Sequence, residues 1–283
     1  MPTNSKPDKP PLGIALSTVD GRLAQNHLLI EQISKLQIPV VLVNQMRGKE
    51  GRLSLRSLNW SNDYAQIIHL NTLGLSLSRN AALDALRTPW VLLADDDITL
   101  DMEAFDLLVL HLQSLVAGDN VGAFVTRLMK DHNTPWRSGK LDLSVIQGRS
   151  IASLRRIQRI NSMELVLNAH ALRKWGIQFD QRFGLGSPHT NGGEEVMILN
   201  EILRHSSQIV PIDLAPRMHA ESSSGQVVNA DTAFTQGAVH RLVFGGFQWL
   251  GLVLIYALKR LQSGGLPQTL NYVRGGIWAS RQT

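Results

Sequence analysis

Apolar and polar residues alternate in blocks over the first two thirds of the chain. "LGIALS" (12–17) is a short apolar run that reads as a buried strand, and "NHLLIEQISKLQ" behind it carries apolar residues at 28, 29, 33 and 36, one face of a helix. "IPVVLVN" (38–44) reads as a second buried strand, followed by the polar stretch "QMRGKEGRLSLRSLNWSND" and by "YAQIIHL" (64–70), a third strand. "SLSRNAALDALR" has a helical pattern that Pro89 stops, and "WVLLA" (90–94) is a fourth strand.

The rhythm continues. "MEAFDLLVLHLQSLV" reads as a helix, "VGAFVT" as a strand, "DHNTPWRSGK" as a loop or hairpin, and "MELVL" (163–167) as a strand. "NAHALRKWG" is a short helix ended by Gly176, "GGEEVMILNEILRH" a longer helix opened by glycines, and "QIVPIDLA" (208–215) the last core strand. Strand and helix in alternation imply an α/β fold with a mainly parallel central sheet flanked by helices, whose ligands sit at the carboxyl ends of the strands. At 283 residues the chain suits one large core with appended elements.

Both ends depart from this pattern. "MPTNSKPDKPP" (1–11) is polar and proline-rich with no apolar segment behind it, the pattern of a flexible tail and not of a signal peptide, so a cytoplasmic location is expected. "LVFGGFQWLGLVLIYAL" (242–258) has Gln248 as its only polar residue and is followed by "KRL". It stands at the lower edge of the roughly 17–25 residues that span a bilayer, and its three glycines weaken it as a helix. A core helix, an interfacial helix and a span all remain open.

Composition narrows the chemistry. There is no cysteine, which removes disulfides, thiolate metal sites and a sulfur nucleophile. A net charge of +5 favours anionic partners, among them phosphates and acidic lipid. A nucleic-acid reader would need a basic stripe with interleaved aromatics, and the densest basic stretch, "SLRRIQRI" (153–160), reads as a solvated helix face or loop.

Three aspartates, Asp95, Asp96 and Asp97, follow the fourth strand directly. Adjacent carboxylates repel and resist desolvation, so a cation or a substrate is expected against them. Oxygen ligands suit magnesium or manganese, which take the rest of their shell from water and substrate phosphates; a solvated turn with a helix cap is the plainer alternative. Arg79 and Asn80 lie near the start of the preceding helix, where Arg79 can pair with phosphate or with an aspartate. Glu194 and Glu195 open the glycine-flanked helix, whose dipole alone accounts for acidic residues there but also favours an ionised general base. His219, in "APRMHAESSSG" after the last strand, can complete a metal shell that carboxylates begin.

In their order these pieces resemble the family 2 glycosyltransferases, with the nucleotide-diphosphosugar-binding GT-A fold. The matching segments are "GLSLSRNAALDALRTPWVLLADDDITLD", "FDQRFGLGSPHTNGGEEVMI" and "PRMHAESSSG", anchoring residues 12–225. The resemblance implies that Asp95 and Asp97 are the family's D-x-D, with Asp97 the direct metal ligand and Asp95 nearer the ribose or the metal's waters. His219 matches the late histidine that joins the metal. The family's base sits in a Glu-Asp pair, and here the pair is Glu194-Glu195, with Glu195 at the Asp position. The family's turn after the first strand and its aspartate after the second are replaced by "STVDG" and "VNQ", where Ser17, Thr18 and Asn44 are expected to make equivalent contacts, beside Arg79, Asn80, Asp95 and Asp96.

The function implied is transfer of a sugar from a nucleoside diphosphate donor to a carbohydrate or lipid-linked acceptor hydroxyl, with inversion and with Mn2+ or Mg2+. The apolar segment suggests peripheral membrane contact through 242–260, at the inner face of the cell membrane, in surface polysaccharide or glycolipid synthesis. The expected divisions are a tail at 1–11, a GT-A-like catalytic domain at 12–225 and a helical extension at 226–283. Two rivals stand beside this reading: a phosphohydrolase using the D-x-D-x-T at 95–99, and a sugar-nucleotide-binding protein without catalysis.

Overall fold

The computed structural model describes residues 10–48, 64–115, 120–137, 142–219, 230–261 and 265–282. Positions 1–9 of the expected tail, most of the polar stretch before the third strand, the end of the 131–140 loop and the segment 220–229 lie outside the described residues. The central sheet has seven strands in the order β3-β2-β1-β4-β8-β6-β9. These are β1 (Leu12–Val19), β2 (Val40–Gln45), β3 (Ala65–Leu70), β4 (Trp90–Asp95), β6 (Val121–Val125), β8 (Leu165–Asn168) and β9 (Gln208–Pro211). β1, β2 and β4 are apolar almost throughout because they are flanked by strands at both edges and covered on both faces, the requirement of a parallel sheet interior. β1 runs parallel to both β2 and β4, and the register sets Ser17 opposite Asp95 and Thr18 opposite Asn44.

β8 is the exception to the parallel arrangement, pairing antiparallel with both β4 and β6. It ends a long excursion after β6 and enters the sheet at the carboxyl ends of β4 and β6 through a one-turn helix at Ser162–Glu164, capped reciprocally by Asn161 and Glu164. A three-stranded sheet lies beside the main one: β5 (Thr99–Leu100), β10 (Arg217–Met218) and β7 (Leu128–Met129), in the order β5-β10-β7.

The helices that cover the sheet are α1 (His27–Lys35), α2 (Leu75–Ala85), α3 (Met102–Gln113), α4 (Ile151–Ile157), α5 (Ala169–Trp175) and α6 (Glu194–Arg204). Side-chain caps fix several starts: Asn26 accepts from Leu29 N, Asp101 from Ala104 N and Asn168 from Ala171 N. The buried face of α1 and its cap is Leu29, Ile33 and Leu36, while Leu28 is exposed, so the apolar face is one residue narrower than its pattern suggests. On α4, Leu154 and Ile157 are buried and Arg155 faces solvent, a solvated helix face with an apolar underside.

Three further helices follow: α7 (Ala230–Phe244), α8 (Gly246–Leu261) and α9 (Leu266–Ser280). The apolar run 242–258 is not one helix. Gly245, at φ 82°, takes the left-handed conformation that ends α7, and α8 begins after it. Among the described residues no helix is long and apolar enough to cross a membrane. Ala238, Val239, Val243, Phe244 and Ala279 belong to the same hydrophobic cluster as the sheet, so α7 and the end of α9 share its core.

Candidate active site

A cavity of about 570 Å³ opens at the carboxyl ends of β1 and β4. Ser17 and Thr18 line it from β1, Asp95, Asp96 and Asp97 from β4 and the turn after it, and Glu194 and Glu195 from the first turn of α6. Asn161, Ser162, Met163, Trp136 and His219 close it on the remaining side. Residues up to two hundred positions apart in the chain therefore meet at one rim of the sheet, where the fold class places ligands.

The three aspartates, adjacent in sequence, face three different ways. Asp95 ends β4 with Oδ1 buried and without a hydrogen bond, 3.5 Å from Arg79 Nη2. Burial pushes its carboxyl up to about 6 against the pull of the Arg79 charge, so the group lacks a full counter-charge. Asp96 turns back toward β1: it accepts from Thr18 Oγ1 at 2.5 Å, from Arg22 Nε at 3.2 Å and from Arg22 Nη2. It pins the turn after β1 beside the cavity. Asp97 points the other way, with Oδ1 3.3 Å from His219 Nε2. Burial opposes its ionisation, but the hydrogen bond and charge of His219, with Arg22, hold it below the ordinary carboxylate range.

The small sheet explains why His219 arrives there. β5 follows the aspartates by one residue and β10 precedes His219 directly, and Met218 pairs with Thr99 across the antiparallel ladder. His219 N bonds Met129 O at 2.8 Å, and the ring stands edge-on to Trp136 with centroids 4.9 Å apart. The imidazole is thereby held beside Asp97.

Arg79 organises the opposite wall. It lies within α2, almost fully buried, and donates to Glu194 Oε1 at 2.7 Å and to Ser162 Oγ at 2.9 Å while facing Asp95. Its guanidinium also stands over the Phe179 ring at 5.6 Å. Glu194 is thus a buried, ion-paired carboxylate. Glu195 is less buried, and its carboxyl is raised well above the ordinary carboxylate range, first by desolvation and then by the neighbouring Glu194. The glutamates differ by environment: one has a cation, and the other has like charge and a raised proton affinity.

Ser17 lines the cavity and shares a hydrogen bond with Ser78 at 2.8 Å. Two residues expected to contact a nucleotide stand elsewhere. Asn44 is fully buried and accepts from Gly21 N at 3.0 Å, holding the turn after β1 from below. Asn80 is bonded in both directions to Phe179, accepting from N at 2.8 Å and donating to O at 2.9 Å, and secures the segment before α6. Both amides serve backbone groups that no strand or helix satisfies.

Several lining residues carry no signal that sequence reasoning used. Arg22 stands one residue past the quoted turn, and a single arginine forms no pattern. Gln45, which ends β2, and Arg47 beyond it line the cavity. Asn161 and Ser162 belong to an Asn-x-x-Glu capping pattern that the sequence does display. Arg217, fully buried beneath the site, donates to Leu93 O at 2.8 Å, Leu165 O at 3.1 Å and Thr126 Oγ1 at 2.6 Å, tying β4, β8 and the end of β6 together. Burial lowers its guanidinium to about 9, with Glu164 and Asp95 acting in the other direction.

Among the described residues no three His, Asp or Glu side chains are gathered closely enough to form a complete metal cage. Two do meet: Asp97 and His219. One or two protein ligands with waters and substrate phosphates suffice for Mg2+, and oxygen with imidazole suits Mn2+ as well. The unbonded Oδ1 of Asp95 adds a buried acceptor at the same rim. The donor set fits such an ion in the company of a bound diphosphate.

No family model matches the chain, and no curated protein matches its sequence. Solved structures do match in shape. S. aureus TarS 1–349 superposes with a TM-score of 0.58 at 14% identity, over 82% of this chain and 64% of that one; in its complex with UDP-GlcNAc the TM-score is 0.56 at 15% identity, over 81% and 65%. The chain thus spans less than two thirds of TarS 1–349. Glucosyl-3-phosphoglycerate synthase from Mycobacterium tuberculosis, in complex with Mn2+, UDP and glucosyl-3-phosphoglycerate, matches with a TM-score of 0.52 at 13% identity, over 83% and 80%. The same enzyme with Mg2+ and UDP gives 0.51. The sheet order, the single antiparallel β8 and these superpositions together establish that this chain has the nucleotide-diphosphosugar transferase, or GT-A, fold.

Proposed function

We propose that the cavity binds a nucleoside diphosphate sugar and passes its sugar to an acceptor hydroxyl with inversion, as a family 2-like glycosyltransferase. The observation that carries this is the meeting of Asp95, Asp97, Glu195 and His219 around one cavity. UDP as the nucleotide is supported by the UDP complexes of the structural neighbours.

Glu195 is the base in this reading. Its carboxylate takes the proton of the acceptor hydroxyl as the acceptor oxygen bonds to the anomeric carbon and the bond from that carbon to the diphosphate oxygen breaks. The raised proton affinity of Glu195 suits it to that task, since a base of higher pKa draws the proton more strongly. Glu194, held by Arg79, keeps the base in place and adds the like charge that raises it. Asp97 and His219 are the residues that would hold Mn2+ or Mg2+, which when bound supplies positive charge against the departing diphosphate, worth several kcal/mol. Thr18, fixed by Asp96, together with Ser17 and Asp95, faces the ribose side.

The acceptor is a carbohydrate or lipid-linked hydroxyl of surface polysaccharide or glycolipid synthesis, with the chain held peripherally at the inner membrane face through 242–260. The residues divide into a GT-A-like catalytic domain at 12–225 and a helical extension at 226–283.

The test is incubation with a panel of sugar nucleotides and acceptors, reading nucleoside diphosphate release and product. Transfer with wild type and loss of turnover with retained donor binding in Glu195→Gln supports the reading. Undiminished transfer by Glu195→Gln refutes it.

A further inference from the structure

We infer that the outer face of α8 and α9 is a docking surface for an anionic lipid bilayer, which it meets lying in the membrane plane. This enlarges the peripheral contact proposed for 242–260, and it is independent of the transfer chemistry.

α8 is apolar on two sides. Its inner side packs on α9: Tyr256 stacks on Tyr272 with centroids 4.3 Å apart, and Trp249, buried, lies against Gly276. α9 in turn crosses α7 so closely that a Cβ at Gly275 would meet the Phe234 carbonyl, and one at Gly237 the Tyr272 carbonyl. Among the described residues the outer side of α8 has no such neighbour, yet it is not polar. Phe247 is 91% exposed, Leu250 60%, Leu254 62% and Leu258 56%, a stripe at helical spacing, and the first turns of α9 expose Leu266 at 59% and Leu270 at 51%. Exposed apolar side chains scattered singly are ordinary, but a stripe running the length of one helix marks an interaction surface.

Charge identifies the occupant. Residues 232–283 contain Arg241, Lys259, Arg260, Arg274 and Arg281 and no Asp or Glu, so the whole net charge of +5 falls on this segment. Lys259 and Arg274 are exposed beside the apolar stripe. Apolar stripe and basic flank together are the pattern of an interfacial helix on acidic headgroups. A second copy fits poorly, because a twofold contact sets the same patch against itself and no acidic residue of the segment would neutralise it. Spanning is excluded by length: the 16 residues of α8 reach about 24 Å, short of the roughly 30 Å hydrocarbon core.

The surface is tied to the cavity. Trp278 of α9 packs at 6.2 Å from the Phe183 ring and 5.3 Å from His189, on the segment that leads into Glu194 and Glu195.

Flotation of the full-length protein with vesicles of phosphatidylcholine alone and of phosphatidylcholine with phosphatidylglycerol tests the inference. The protein is expected to float with the anionic vesicles and to be released by salt. Replacing Leu250, Leu254 and Leu258 together by Gln should weaken partitioning more than about tenfold, and each of Lys259→Gln and Arg274→Gln about fivefold. All five side chains are exposed, so an unchanged melting temperature accompanies the loss; should the triple variant fail to fold, the two charge variants still decide. Wild type that ignores anionic vesicles overturns the inference. So does a wild-type dimer, seen by sedimentation, that the leucine variant converts to monomer with no lipid binding in either. Sugar transfer to a soluble acceptor is read separately, so its failure would count against the proposed activity and leave vesicle binding to judge the surface.

Discussion

The two adjacent glutamates at the start of α6 should separate cleanly when each is made Gln. Glu194 has 5% of its side chain exposed and accepts from Arg79 at 2.7 Å. Removing its charge leaves Arg79, itself 1% exposed, with Asp95 at 3.5 Å as its remaining anionic partner. Breaking a buried pair costs about 3–5 kcal/mol, and because Asp95 and Ser162 stay in place the lower end applies. About 3 kcal/mol lowers the melting temperature by roughly 6–12 °C in a chain of this size. Glu195→Gln acts in the opposite manner. Its carboxylate is disfavoured by burial and by Glu194, so a neutral amide of the same shape leaves the melting temperature unchanged or higher. Turnover, in contrast, falls by about two to four powers of ten, the usual contribution of a positioned base. Differential scanning fluorimetry and steady-state release of nucleoside diphosphate measure both variants. A stable, inactive Glu194→Gln beside an unstable, active Glu195→Gln would refute the division of roles.

Raised proton affinity at Glu195 makes opposite predictions for rate and stability. Turnover rises with pH across the neutral range as the base ionises, while the stability that the protonated carboxyl contributes is fully present below its ordinary value of 4.5 and is lost as pH rises through the raised one; Glu195→Gln should flatten that part of the unfolding profile. Arg22→Ala, which removes a clamp on Asp96 from a side chain 60% exposed, should raise the KM for donor several-fold with a change in stability of under about 1 kcal/mol. Arg217→Met leaves three acceptors beneath the site without their donor and should lower the melting temperature, by the roughly 1–3 kcal/mol of buried acceptors left unsatisfied; no change by scanning fluorimetry would contradict its tying role. Simple phosphate esters should not turn over under conditions where sugar nucleotides do, and the reverse outcome would favour a D-x-D-x-T hydrolase at 95–99.

The strands β1, β2 and β4 were legible because a strand buried on both faces must be a short apolar run, and each such run ends at its predicted place within two residues. The direction of β8 was not, since apolar residues between turn signals look the same in a parallel and an antiparallel strand. β5, β7 and β10 are two residues each, too short to leave a period, although they bring His219 to Asp97. Asn44 and Asn80 show a different limit, and Asp96, which lines the cavity, shows part of it. A polar residue at a strand end or in a helix near the site suggests a ligand contact, but the two asparagines satisfy buried backbone, and Asp96 at the cavity wall also anchors Arg22 and Thr18. Partners far away in sequence decide such cases. Of the three readings open for 242–258, the sequence could not choose: Gly245 divides the run, and only the folded packing shows which of its leucines are covered.

Calorimetric titration of UDP into the protein with and without Mn2+ tests the account most directly. The account predicts binding that is tight with Mn2+, weak without it, and returned to the metal-free level by Asp97→Asn. Equal affinity with and without the ion, or no binding of UDP in either condition, would contradict it.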